Sequence, residues 1–303
     1  MKSALAATAV VLVAAPTWRS EPSLPLARGE VAAATVRGEI AVIGGLVADG
    51  SSSRRVELYS PVSKTWRRVA DLPVAVNHAL AAAGQGHLHV AGGYGSSGRL
   101  RSAWMLDRGR WRALPPLPYG LAAGGAAFLG GKLYLVGGVA GASDRSVLVR
   151  RALVLDPAHP DRWRFVPAPT PREHLAVTVA AGRIYALGGR TAGFDTNLSI
   201  VESWRPGEHG WLTDTPLPEA RGGTGAAAVG GTIVSVGGEA ASGTLAKVFA
   251  YDVVRRVWQQ LPDLPTPRHG LGVAAVGGRV YVIGGGRTPG LAVSEVAESL
   301  AVS

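Results

Sequence analysis

An apolar run that ends in two adjacent glycines, such as Ile40-Ala41-Val42-Ile43-Gly44-Gly45, recurs six times along the chain, with its pairs at Gly44-Gly45, Gly92-Gly93, Gly137-Gly138, Gly188-Gly189, Gly237-Gly238 and Gly284-Gly285. Successive pairs stand 48, 45, 51, 49 and 47 residues apart, and self-similarity at such a period constrains the fold before any local reading does. Another glycine precedes every pair by six positions: Gly38, Gly86, Gly131, Gly182, Gly231 and Gly278. Between turn glycine and doublet lie runs such as Lys132-Leu133-Tyr134-Leu135-Val136, whose β-branched and aromatic content predicts strands. A second apolar run, rich in Ala and Val as over 175–181, precedes each turn, so the two runs read as a hairpin. Glycine at the far end permits positive φ and close backbone approach, which makes the doublet a packing device. No G-x-G-x-x-G opening a helix accompanies it, and a phosphate cradle is set aside.

The remainder of each unit repeats as well. Val56-Glu57-Leu58-Tyr59 is followed by Trp66, seven residues past the tyrosine, and then by Leu72-Pro73. Tyr251 and Trp258 keep that spacing, as do Trp204 and Trp211. The second unit is shortened between Leu106-Asp107 and Trp111, and the third is stretched between Leu155-Asp156 and Trp163. A proline follows each tryptophan at nearly constant distance, at Pro73, Pro118, Pro169, Pro218 and Pro265. Each unit is thus four strands.

Apolar strand, Gly doublet, Tyr and Trp in this order resemble the kelch repeat, over roughly residues 18–303. The resemblance implies an all-β fold, a six-bladed β-propeller. Elementary packing agrees, because a lone four-stranded blade has two apolar faces and must stack on neighbours. The sixth unit has no tryptophan after its doublet, whereas Trp18 stands seven residues before Pro25 with no doublet ahead of it. The N-terminal strand is therefore expected to complete the last blade and close the ring, removing two open edges. The expected blades cover approximately 26–73, 74–118, 119–169, 170–218, 219–265, and 266–303 together with 16–25. Six tryptophans then occupy the outer-strand position, and Trp104 and Trp204 replace the tyrosine.

Composition narrows the chemistry. The chain has 31 Lys and Arg against 21 Asp and Glu, a net charge of +10, and only Lys2, Lys64, Lys132 and Lys247 are lysines. Such a surplus attracts anions, but the arginines are scattered, so sequence-specific nucleic acid is not an expected partner. The absence of cysteine excludes disulfides, thiolate nucleophiles and thiolate metal sites. It also excludes the copper chemistry of galactose oxidase-like kelch enzymes, which uses a cysteine-modified tyrosine. Residues 1–15 carry Lys2 and then about a dozen apolar positions, the layout of a secretory signal and too short for a membrane span. A secreted or periplasmic propeller is the expectation.

In a propeller, functional side chains sit in loops around the mouth of the channel. One loop set follows the prolines and holds Arg28, Asn77-His78, Tyr119, Arg172-Glu173-His174, Arg221 and Arg268-His269. The other follows the doublets and holds Asp49, Tyr94, Asp144, Arg190, Asp195, Asn197, Glu239 and Arg287. Arg28, Arg172, Arg221 and Arg268 recur after their prolines in four units, and ring symmetry would bring these planar forks around one axis to meet a carboxylate, sulfate or phosphate. Their alternative is a structural pairing between blades. His78, His174 and His269 hold similar places in alternate units, but a six-bladed mouth is generally wider than the reach of metal ligands, and no metal or other cofactor is expected. The candidate ligand-binding set is Arg28, His78, Arg172, His174, Arg190, Arg221, Arg268, His269 and Arg287. No nucleophile elbow, H-E-x-x-H motif or P-loop is present. The leading expectation is a non-catalytic module that binds an acidic small molecule, glycan or protein partner on its loop face. The rival is a carbohydrate isomerase or epimerase for an acidic sugar, implied by a resemblance to exported bacterial kelch proteins similar to N-acetylneuraminate epimerase.

Overall fold

The computed structural model of the protein describes residues 16–141 and 146–302. The leader expected over 1–15 lies outside the described residues, as does Asp144. Among the described residues, six four-stranded antiparallel sheets follow one another along the chain. The first contains Ala32–Val36, Glu39–Ile43, Val56–Ser60 and Thr65–Arg68 in that spatial order. The same order recurs over 80–114, 125–166, 176–213 and 225–261. The sixth sheet is Gly272–Val276, Arg279–Ile283 and Ala297–Ala301, and its outer strand is Trp18–Ser20. Trp18 lies opposite Leu300, and Ser20 opposite Glu298.

The hairpin turns show why the six-residue interval is so constant. In five of the six, both central residues have positive φ, as at Arg37 (51°) and Gly38 (79°), the two-residue turn whose twist matches the flanking strands. The doublets serve a different need. A Cβ on Gly93 (φ 94°) would stand 2.2 Å from Val76 Cγ2 and 2.6 Å from the Asn77 carbonyl oxygen. Its N–H instead donates to the Leu121 carbonyl of the next blade at 2.7 Å. Equivalent bonds run from Gly45 to Val76, Gly138 to Arg172, Gly189 to Arg221 and Gly238 to Arg268, and Gly285 returns to Arg28 in the first blade.

Tryptophan closes the outer side of the same seams. Each outer-strand indole N–H donates to a carbonyl of the preceding blade: Trp66 to Pro22, Trp111 to Ala70, Trp163 to Pro115, Trp211 to Pro167, Trp258 to Thr215 and Trp18 to Pro262. Apolar side chains fill the space between, so that Ile43, Val56 and Leu58 of one blade pack with Leu88 and Val90 of the next. This is a six-bladed β-propeller. Its channel is lined by the first strands, among them Ala33, Ala81, Ala126, Phe128, Ala226 and Ala275.

Candidate functional site

Where each blade begins, one residue sits at positive φ: Glu30 (50°), His78 (49°), Ala123 (56°), His174 (52°), Gly223 (63°) and Gly270 (56°). Their backbones form a ring of hydrogen bonds around the axis. The N–H of His78 donates to Glu30 O at 3.0 Å, Ala123 to His78 at 3.2 Å, His174 to Ala123 at 2.8 Å, Gly223 to His174 at 2.9 Å and Gly270 to Gly223 at 3.0 Å. Val31 N completes the circuit to Gly270 O at 3.2 Å. Three of the six positions therefore carry a polar side chain at the channel mouth, and these are Glu30, His78 and His174.

The residues just before this ring pair with the residues just after the doublets, which unites the two loop sets on one face. Gly29 bridges to Leu46, Asn77 to Tyr94, Ala122 to Val139, Glu173 to Arg190, Gly222 to Glu239 and His269 to Gly286. His269 is thus one position off the axial ring, so the three histidines do not form a threefold set. The third polar side chain of the axial ring is Glu30, from the first blade, which the candidate set omitted. Counting two residues on from Arg28, Val76, Leu121, Arg172, Arg221 and Arg268 would have found it.

The mouth is a connected polar cluster. Glu30 Oε2 is 3.1 Å from His78 Nε2, and its Oε1 is 3.2 Å from His269 Nδ1. His269 also faces Glu239 Oε2 at 3.3 Å and places Nε2 3.0 Å from the Thr288 carbonyl. Arg190 donates to Glu239 Oε1 at 2.8 Å and lies 3.5 Å from Glu173 Oε1, which in turn is 3.4 Å from His174 Nδ1. The His78 and His174 rings meet edge to face at 5.0 Å, with Tyr94 at 5.4 Å from His78. One ligand atom from each of Glu30, His78 and His174 falls within a set no wider than 4.8 Å. The distance argument against metal ligation therefore fails, because the backbone ring draws these side chains inward.

Burial and charge divide the titrating groups. Burial pushes His78 down to about 4, with His174 adding to the effect against the pull of Glu30. Burial alone would raise the Glu30 carboxyl, yet the histidines around it hold it well below the usual carboxylate range. His269 moves up despite its burial, because it donates to Glu30 and faces Glu239. An imidazole with Glu30 on one nitrogen and a carbonyl on the other is best placed as a double donor.

The four arginines expected at the mouth are elsewhere. Arg28, Arg172, Arg221 and Arg268 are fully buried inside their own blades. Arg28 pairs with Glu57, Arg172 with Glu202 and Arg268 with Glu298, and each also donates to backbone carbonyls. Arg221 bonds Glu219 and lies over the Phe249 ring at 5.0 Å. Glu57, Glu202, Phe249 and Glu298 occupy one equivalent position on the third strand, so these arginines are struts within a blade and not between blades. Of the remaining candidates, Arg190 belongs to the mouth cluster and stacks on Phe194 at 4.9 Å, while Arg287 is exposed in the loop after the last doublet.

Comparison with known proteins agrees with this architecture. The KLHDC2/KLHL20/DRC7 Kelch-repeats domain matches residues 124–298, more than half of the chain, and the Kelch motif matches residues 27–73. The chain belongs to the kelch-repeat family. Among curated relatives of this kelch propeller, the Kelch-like protein terF of Aspergillus terreus is 32% identical over 50% of the chain and 36% of its own length. Human Kelch repeat and BTB domain-containing protein 13 is 38% identical over 36% of the chain and 24% of its own length. Mouse Kelch-like protein 35 is 28% identical over 78% of the chain and 39% of its own length. The kelch chain thus matches well under half of each of these relatives.

Proposed function

We propose that this kelch propeller is a non-catalytic binding module that takes a protein segment on its loop face, around the channel mouth. The observation that carries the reading is the union of all six loop pairs on one face by the backbone bridges at Leu46, Tyr94, Val139, Arg190, Glu239 and Gly286. A rigid ring presenting six loops of different sequence suits recognition of an extended partner. Next to the axial ring, Tyr94, Val139, Leu148, Glu173 and Thr191 line one depression, a mixture of apolar and polar groups suited to a peptide. The acidic ligand drew on the four recurring arginines, and these are buried in ion pairs within blades, which also removes the basic mouth that suited an acidic-sugar epimerase. Export remains part of the proposal on the strength of Lys2 and the apolar residues after it, and N-terminal sequencing of native protein that returns Met1 would count against it.

The test is crosslinking-based identification of bound protein, using the wild type and two variants. Tyr94→Ala with Leu148→Ser changes the loop face, and Val62→Ser with Val254→Ser changes exposed turns on the opposite face. Loss of a partner with the first pair alone supports the reading. Loss with the second pair alone transfers binding to the other face and sinks it.

A further inference from the structure

The channel mouth contains two hydrogen-bond acceptors that face one another. The Asn77 amide donates its Nδ2–H to Ser52 Oγ at 2.8 Å, which turns its Oδ1 toward His78 Nδ1. His78 Nδ1 accordingly carries the proton, and its Nε2 lone pair points at Glu30 Oε2, 3.1 Å away. Across the ring, His174 turns Nδ1 to Glu173 Oε1, and that carboxylate is itself held by Arg190. Glu30 has its other oxygen tied to His269. His78 is therefore fixed from behind by its hydrogen bond to Asn77, and Glu173 and His269 stand within 3.4 Å of His174 and Glu30 as titratable neighbours. Hydrogen bonds placed behind the ligand atoms in this way orient metal-binding histidines and carboxylates.

We propose that Glu30, His78 and His174 form a binding site for a divalent first-row transition ion of the zinc class, set on the propeller axis at the loop face. Two neutral imidazoles and one carboxylate are a ligand set suited to zinc with a fourth position open to water or a partner's side chain. The ion would fill the place between the two facing lone pairs of His78 and Glu30. Ligand atoms about 2.0–2.1 Å from zinc stand ~3.4 Å apart, so a set already within 4.8 Å closes by small side-chain rotations. Because the ligands come from the first, second and fourth blades, the ion also staples strands distant in sequence. The site stands independently of the partner-binding reading.

The same backbone ring supplies safe variants. Ala123 occupies the equivalent position of the third blade at φ 56°, so His78→Ala and His174→Ala place a residue type that the ring already accommodates. Tag-free full-length protein, stripped with chelator, is titrated with Zn2+ against a chromophoric competitor and with Co2+ by visible absorption, alongside melting curves. The expected result is one ion per chain, a raised Tm, and affinity at least 100-fold weaker in His78→Ala and His174→Ala. Glu173→Gln, which removes the carboxylate charge beside His174 Nδ1 and Arg190, is expected to weaken binding about 10-fold. His159→Ala, at an exposed histidine near Asp156 and Asp161, is expected to change nothing. Wild-type protein that binds no ion, or variants that bind as the wild type does, would overturn the proposal. So would NMR showing that the ring resonances of His78 and His174 do not move when zinc is added.

Discussion

Arg172 and Leu121 occupy the same place in two blades, and the chain thereby contains its own control for a buried ion pair. Opposite Arg172 stands Glu202, whereas the position equivalent to Glu202 in the third blade is Leu153, so one blade closes with charge and the other with hydrocarbon. Removing one member of a buried pair leaves the other uncompensated, a cost of about 3–5 kcal/mol. Arg268→Ala is accordingly expected to lower urea-unfolding stability by that amount. Arg268→Leu combined with Glu298→Leu, which copies the third blade, is expected to recover more than half of the loss. His89 is a second informative residue. It is buried against Phe128 at 5.3 Å, neither ring nitrogen has a hydrogen-bond partner, and burial, with His87 adding, pushes it down to about 4. Its folded pKa lies below the unfolded value, so as pH falls from about 6.5 toward 4 only the unfolded chain takes up the proton, and stability drops by about 3 kcal/mol. His89→Phe is expected to flatten that acid limb, read from unfolding curves between pH 7 and 4, and an unchanged limb would contradict the assignment.

Among elements, the two kinds of glycine make different demands. Gly38 sits in an open turn, where an added Cβ would meet nothing within 4 Å, so Gly38→Ala meets only the cost of left-handed backbone, about 1–2 kcal/mol. Gly93 has the same backbone cost and in addition a neighbour at 2.2 Å, so Gly93→Ala is expected to cost about 3 kcal/mol or more as Val76 and Asn77 at the entry to its blade are pushed away. Comparing the two denaturation midpoints separates turn strain from seam packing, and equal losses would refute the distinction. The indoles belong to the same seams. Each covers apolar surface and satisfies one carbonyl of the preceding blade, and this double duty explains why the tryptophan persists in units whose tyrosine has been replaced.

For the whole molecule, the N-terminal strand has contacts out of proportion to its three residues. Glu21 accepts from Tyr59 in the first blade at 2.7 Å and from Ser299 in the sixth at 2.6 Å, while Leu24 is buried between those blades. Deleting 16–25 would remove these contacts, the Trp18 clasp on Pro262, and the strand covering Ala297–Ala301. The shortened chain is expected to melt at markedly lower temperature and to self-associate through the uncovered edge, measured by calorimetry and light scattering. An unaltered melting curve would show that the first and sixth blades hold without it.

The period, the four strands of each unit, the turn and doublet glycines and the role of Trp18 were all legible in the order of residues. These depend on chemistry that is local or repeated, such as positive φ, strand alternation and a constant Trp-to-Pro interval, and the repeat displays each requirement six times. Side-chain direction where the blades begin was not legible there, because it follows from how the strands meet in space. Arg28, Arg172, Arg221 and Arg268 recur as a ligand-binding set would, but they turn inward because carboxylates or a ring on their own third strands, some 30 residues away, meet them there. Glu30, His78 and His174 stand one and two repeat periods apart, but the residue type changes from carboxylate to imidazole among them and the other three blades carry Ala123, Gly223 and Gly270 at the same position, so no repeated residue marks the site. They converge because positive φ at one position per blade, joined by a closed circuit of backbone hydrogen bonds, aims whatever side chain is present at the axis. A site built from unlike residues on separate blades depends on ring closure, and closure is a property of all six units together.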